Sequence, residues 1–283
     1  MRVLGMKGLS WCHDCKTVIV DVFTIKDAAR VMWVAAVALF FGIVLARATT
    51  VVIFRTNKVV VVGSDSRVIG TDSYTGGERG LLGCKIEQLD GRVFFVAAGF
   101  YGDQKRFDVY RIAKKSAMAG GDAIAIANRF GELAVEPFSE FLRTLPKETA
   151  GNCEHTACLQ VAFVGLINGV PEVAVRKLYA TFGPFRDGLI EATRGEASDC
   201  PGDCRFGTTV ASTLGYDWHV NQLLDAHPGI FIKRGPIGAV DDAINTEIAA
   251  DPTHVAGPTA ILVINKHGPR WAGGHQGSCP DIK

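Results

Sequence analysis

Apolar and polar positions divide this chain into strand-like runs, helix-like stretches and one early uncharged block, Val31 to Ala46, which lies between Arg30 and Arg47. Beyond that block, Thr49 to Arg55 and Val59 to Asp65 are β-branched runs separated by Thr56-Asn57-Lys58, which predicts a hairpin. With the turn centred on Asn57, Thr49 faces Asp65, and facing residues of an antiparallel pair have Cα atoms about 4.5 to 5.5 Å apart. The polar, glycine-rich segment Thr71 to Gly83 reads as a loop. Lys85 to Gln88 and Val93 to Ala98 then read as two strands joined through Asp90-Gly91, a turn dipeptide.

The apolar period changes after Gly99. From Asp103 to about Met118, and from Asp122 to about Arg143, apolar residues recur at helical spacing with Gly120-Gly121 as the break. Ala157 to Ile167 and Glu172 to Tyr179 predict a second hairpin around Asn168-Gly169, with Ala180 to Phe185 as a short extended continuation. Past a cysteine-rich loop at Cys200 to Cys204, Thr209 to Leu224 and Ile237 to Ala250 read as helices, and Ala260 to Asn265 as a buried strand. Strands, two helices, strands, two helices and strands, in that order, predict an α+β architecture: two antiparallel sheets packed face to face between helix layers. No internal repeat, low-complexity tract or inter-domain linker interrupts it.

The uncharged block has the length and flanks of a signal-peptide core and is shorter than the roughly 20 apolar residues of a membrane span. Ala46-Arg47-Ala48 is a small-x-small triplet, which places a signal-peptidase cut before Thr49. An uncleaved signal anchor is the alternative. Translation from Met32 is another, but it would discard Lys26 and Arg30, the positive region such a signal uses. Residues 1–48 are therefore read as a leader and 49–283 as one exported domain, periplasmic or secreted, with contact to a membrane only if the leader is retained. The domain is long enough for one sizeable core.

Charge narrows the function little. The whole chain carries a net +1, and the leader holds six of its thirty Lys and Arg residues but three of its twenty-nine acids. What remains is slightly acidic, without the clustered basic surplus of a nucleic-acid binder. Cys12 and Cys15 belong to the leader; Cys84, Cys153, Cys158, Cys200, Cys204 and Cys279 stay with the domain. An even number in an exported chain favours disulfides. The pairs Cys153/Cys158 and Cys200/Cys204 alternatively have the close spacing of a four-thiolate zinc site, and free buried thiols are a third reading. His155, His219, His227, His254, His267 and His275 lack metal-ligand spacing and read as surface or loop residues.

The cut before Thr49 matters chemically. A threonine hydroxyl is a weak nucleophile until a base accepts its proton, and a new terminus supplies an α-amine with an unperturbed pKa of about 7.7 to 8. Four features after it occur in a suggestive order: Thr49-Thr50 leading a strand, Ser64-Asp65-Ser66-Arg67 closing the next, Lys85 opening the third, and Ala97-Ala98-Gly99 closing the fourth. In these features, and in Gly257-Pro258-Thr259-Ala260 leading into the last apolar run, the chain resembles the proteasome β-type subunits, which are N-terminal-nucleophile hydrolases.

The resemblance implies a four-layer αββα sandwich and hydrolysis of an amide bond in a peptide or small amide, without metal or organic cofactor. It implies Thr49 as nucleophile and its own amine as proton acceptor, directly or through a water. Lys85 would favour the alkoxide-like oxygen, Asp65 would hold Lys85, and the Gly99 N–H would face the substrate carbonyl oxygen. Asp251 and Thr208 are candidates for two further polar positions near the amine, although Pro252-Thr253-His254 departs from the family's Asp-x-x-Ser. Ring-forming homo-oligomers are a habit of that family. Each residue also has a plainer reading: Thr49 as a strand residue, Lys85 as an exposed strand lysine, Asp65 with Arg67 as a surface ion pair, Gly99 as a strand end, Asp251 as a loop residue before proline, and Thr208 as a helix cap. Ala48 precedes the threonine where family members that cleave themselves have glycine. A non-peptidase amidase and an inactive, membrane-tethered scaffold are the alternative functions.

Overall fold

The computed structural model describes residues 49–71, 78–103, 105–146, 150–151, 153, 156–182, 190–194, 198–199, 210–215, 217–227, 229–274, 276–277 and 279–282. The leader, Thr208, Cys200, Cys204, His155 and His275 lie outside the described residues. Within them the fold is α+β, with two larger antiparallel sheets and four helices.

The first sheet contains β1 (Thr50–Arg55), β2 (Val59–Ser64), β11 (Val210–Gly215), β12 (Ala260–Asn265) and β13 (Gly268–Trp271), in the order β11-β1-β2-β12-β13. Side chains alternate across it, as a pleated strand requires. Val51, Ile53, Val60 and Val62 face the second sheet, while Val52, Phe54 and Val61 face helices on the other side. The second sheet contains β5 (Ile86–Asp90), β6 (Val93–Gly99), β7 (Leu159–Ile167), β8 (Val170–Phe182) and β10 (Ser198–Asp199), in the order β10-β8-β7-β6-β5, with β9 (Ile190–Arg194) also on β8. Phe94, Val96, Ala162, Val164 and Val175 meet the first sheet in one buried core.

Helix α1 (Val109–Ala117) packs on α2 (Ala123–Leu142), and Phe130 of α2 meets Phe95 and Phe163 on the outer face of the second sheet. Helices α3 (Trp218–Ala226) and α4 (Ile230–Ala250) cover the first sheet through Val220, Val240, Ala243 and Ile244. Among the described residues no helix is long and apolar enough to cross a membrane.

Several sequence expectations shift. The β1–β2 register pairs Val51 with Ser64 and Arg55 with Val60, and the Thr56 N–H donates to the Val59 carbonyl at 2.8 Å. The connection is thus a two-residue Asn57-Lys58 turn, one residue out from a turn centred on Asn57, so Thr50 rather than Thr49 stands opposite Asp65. The expected loop from Thr71 to Gly83 is partly a separate ribbon, β3 (Arg67–Thr71) on β4 (Glu78–Leu82); hydrogen bonding between them overrides a polar, glycine-rich composition.

The first helix starts at Val109 instead of Asp103. Asp108 caps it by accepting from the Arg111 N–H, whereas Asp103 accepts the N–H groups of Lys105 and Arg106 and so stabilises a loop. The sequence predicts one helix from Thr209 to Leu224, but Val210–Gly215 pairs along the whole of β1 and, among the described residues there, only Trp218–Ala226 is helical. A strand partner outweighs a modest helical period there. Helix α4 begins seven residues before Ile237, with a kink at Gly235, where φ is 69° ahead of Pro236.

Among the described residues two disulfides are present, Cys84–Cys279 and Cys153–Cys158. Cys153 and Cys158 are bonded to each other, which removes them from the zinc grouping that their spacing allowed. Paired cysteines of this kind belong to an oxidising compartment.

Candidate active site

Thr49 lies one residue before β1 and is fully buried. Its Oγ1 accepts a hydrogen bond from Lys85 Nζ at 3.1 Å, and the same ammonium donates to Asp65 Oδ1 at 2.8 Å. Lys85 and Asp65 are both completely inaccessible to solvent. The chain reaches this geometry because β1 and β2 are hydrogen-bonded neighbours. Asp65 follows β2 directly, takes the Thr50 N–H on Oδ1 at 2.9 Å and takes the Arg67 N–H on Oδ2 at 3.0 Å. Its own N–H donates to the Thr50 carbonyl at 3.3 Å.

Lys85 sits just before β5 rather than opening it, between Cys84 and Ile86, whose side chains belong to the inter-sheet core. Chain alternation therefore directs the lysine away from that core and toward Asp65. The plainer readings of an exposed lysine and a surface ion pair do not hold for these two residues.

Burial is the largest influence on both charges. It pushes the Asp65 carboxyl upward against the opposing effects of Lys85 and the two backbone N–H donors. It pushes the Lys85 ammonium downward against the stabilising carboxylate. A buried lysine below its usual range, held by a fully bonded carboxylate, can keep a positive charge on a hydroxyl without being swamped by water.

Gly99 ends β6 with φ 101°. A Cβ there would lie 2.2 Å from the Cys158 carbonyl oxygen, so both the backbone angle and the close approach of β7 demand glycine. The plainer reading of Gly99 as a strand end therefore accounts for the glycine by itself.

Asp251 caps the end of α4 and is engaged by Thr253 at 2.6 Å and by His254 Nδ1 at 2.8 Å. Among the described contacts no hydrogen bond joins Asp251 to Thr49, Asp65 or Lys85. His219 and His254 are partly exposed, His254 within a turn, and both are hydrogen-bonded: His219 Nδ1 is 2.8 Å from Glu247, a buried carboxylate that also takes two backbone N–H groups at the start of α3.

Two residues that sequence reading passed over complete the surroundings. Tyr101 places its hydroxyl 3.0 Å from Thr49 Oγ1 and donates to the Ala97 carbonyl at 2.9 Å. Gly215, at the end of β11, has φ 85°, and a Cβ there would fall 1.8 Å from the Thr49 carbonyl oxygen. The signal for Tyr101 was only its place two residues past Gly99; that for Gly215 required knowing that β11 pairs with β1.

A cavity of about 510 Å³ is lined by Cys84, Ile86, Phe94, Tyr110, Trp271 and Ile282 among others. It lies at the edge of β5 next to the Cys84–Cys279 bond, and Thr49, Asp65 and Lys85 are not part of its wall. Comparison of the chain with protein-family models and with curated proteins finds no match.

Proposed function

We propose that this chain is a threonine-type hydrolase of the N-terminal-nucleophile class, similar to proteasome β-type subunits, which cleaves amide bonds in a peptide or small amide once Thr49 becomes the first residue. The observation that carries this reading is the buried chain of contacts from Asp65 through Lys85 to Thr49 Oγ1. The helix-covered double sheet around it is compatible with the αββα fold of that class.

In the mechanism, the freed α-amine accepts the Thr49 hydroxyl proton while Oγ1 attacks the substrate carbonyl carbon. An amide nitrogen cannot do this, so the step requires a break between Ala48 and Thr49. The Lys85 ammonium stabilises the negative charge that develops on Oγ1, and Asp65 holds the ammonium in place. The amine nitrogen of the substrate leaves after taking a proton from the Thr49 ammonium. Water then hydrolyses the resulting ester and restores the threonine. The disulfides support an exported location in which a signal peptidase could expose Thr49.

The test is the N-terminal residue of protein recovered from an exported fraction, followed by turnover of fluorogenic peptides and small acyl amides. A chain starting at Thr49, active as wild type and silent as Thr49→Ala, supports the reading. A chain that retains residues 31–46 leaves the nitrogen acylated and favours an inactive, anchored protein; activity in Thr49→Ala removes the mechanism.

A further inference from the structure

Thr49 Oγ1 has a second side-chain partner whose chemistry lies outside the Asp65–Lys85 pair. The Tyr101 hydroxyl is 3.0 Å from Thr49 Oγ1 and 2.9 Å from the Ala97 carbonyl oxygen. A carbonyl oxygen only accepts, so the single phenolic hydrogen goes to Ala97 and the phenol oxygen accepts from the threonine hydroxyl. Lys85 Nζ donates to Oγ1 from another direction. The resting chain therefore runs from Lys85 to Thr49, from Thr49 to Tyr101, and from Tyr101 to Ala97.

This position is built rather than incidental. The N–H of Phe100, the preceding residue, donates to the Cys158 carbonyl at 2.8 Å, and the Tyr101 carbonyl accepts from the Val109 N–H at 3.1 Å, so the residue leading into β7 and the first residue of α1 fix the backbone here. The Tyr101 ring lies nearly parallel to that of Tyr110, at 15° with centroids 5.8 Å apart. Gly102, with φ 102°, lets the chain turn immediately afterwards, where a Cβ would meet the Phe107 carbonyl oxygen at 2.0 Å.

Resting on the hydrolase reading above, we infer that Tyr101 is a further catalytic residue, which accepts the Thr49 hydroxyl hydrogen at rest and donates its own hydrogen to Oγ1 once that oxygen has lost its proton. The proton of Oγ1 passes to the α-amine as the C–O bond forms. Tyr101 gives up no proton; its O–H turns from the Ala97 carbonyl toward Oγ1, joining Lys85 as a second donor to the oxygen that carries charge. The same donor faces Oγ1 when it leaves as an alkoxide during hydrolysis of the acyl-enzyme. A hydrogen bond that is stronger in the charged state than at rest lowers the barrier without tightening substrate binding.

The test uses protein processed from the full chain to start at Thr49, with a β-lactone as acylating probe and intact mass as readout. Tyr101→Phe keeps the ring against Tyr110 and removes only the hydroxyl. It is expected to slow both acylation of Thr49 and hydrolysis of the ester about tenfold, the scale of one hydrogen bond, with the half-saturating probe concentration unchanged. Equal rates in wild type and Tyr101→Phe overturn the inference and leave the hydrolase reading intact. A wild-type protein that is never acylated overturns the hydrolase reading, and this inference with it. Replacement of Tyr101 by 3-fluorotyrosine, a stronger donor of the same shape, provides a second measurement should the phenylalanine variant fail to fold; faster acylation supports the inference and an unchanged rate overturns it.

Discussion

Thr50, not Thr49, stands opposite Asp65, and its backbone N–H donates to Asp65 Oδ1 at 2.9 Å. Thr49 is thereby left one residue outside the β1–β2 ladder, where its side chain is available to Lys85. The carboxylate thus does two jobs, fixing the backbone beside the threonine and holding the cation that touches its hydroxyl.

Removing one member of that pair leaves the other buried and uncompensated. Lys85→Met is expected to abolish turnover and to lower unfolding free energy by about 3 to 5 kcal/mol. Adding Asp65→Asn to it should recover part of the stability but no activity. Urea denaturation of the single and double variants checks this; equal stability of the two would contradict a paired buried charge.

Activity should depend on pH through two groups. It should rise as the Thr49 α-amine loses its proton, near pH 8 for an unperturbed amine. It should fall again as Lys85 loses the charge that stabilises Oγ1, and because burial lowers this ammonium, the fall should begin below its ordinary 10.5. A kcat/KM profile over pH 6 to 11 tests both limbs, and a plateau extending past 10.5 would remove Lys85 as the titrating cation.

Gly215→Ala should disturb the site without altering any polar side chain. The added Cβ would come within 1.8 Å of the Thr49 carbonyl oxygen, at a φ of 85° that side-chain-bearing residues rarely adopt. Expected are a loss of about 1 to 3 kcal/mol in stability and a larger proportional loss of kcat than the same variant at Gly169, an exposed turn glycine with open space around it. Parallel thermal melts and kinetics of the two variants decide it.

The two disulfides should differ in worth. Cys84–Cys279 closes a separation of 195 residues and Cys153–Cys158 one of 5. Chain-entropy estimates give upper values of about 5 and about 2 kcal/mol respectively. Serine pairs at each bond, compared by guanidinium unfolding, should preserve that order; the reverse order would show that the short bond holds more than its own loop.

Acid should loosen the loop that carries the chain from Tyr101 into α1. Partial burial raises the Asp103 carboxyl, but the N–H groups of Arg106 and Phe107, the Arg106 side chain and the Lys105 N–H together bring it down to about 2. A folded value below the unfolded one, about 3.9, means that the stabilisation is complete above the unfolded value and is lost as pH falls through about 2. Asp103→Asn should therefore be less stable than wild type at pH 6, with the difference shrinking between pH 4 and 2. A constant difference across that range would place the effect elsewhere.

How much was legible in advance follows from the range of the interactions. The β-branched runs of β1 and β2, the Asp90-Gly91 and Asn168-Gly169 turns and the Gly120-Gly121 break are local signals, and each appears where it was read. The α+β class follows from their order, and Asp65 and Lys85 stand out through the resemblance to proteasome β-type subunits, Asp65 also through a hairpin register that the structure shifts by one residue. What local pattern could not supply was register and partnership. A hairpin turn one residue shorter than assumed moved the residue facing Asp65 from Thr49 to Thr50. Val210–Gly215 has the composition of either element and became a strand because β1 offers a free edge. Tyr101 reaches Thr49 only through β6, the loop held by Cys158, and the stacking on Tyr110, all remote in sequence from residue 49. The sequence by itself thus determined which segments pair or coil and which residue types could do chemistry, because those depend on neighbours a few positions away; tertiary structure alone decided which of them meet, because hydrogen-bond register and burial are set by strands brought together from opposite ends of the chain.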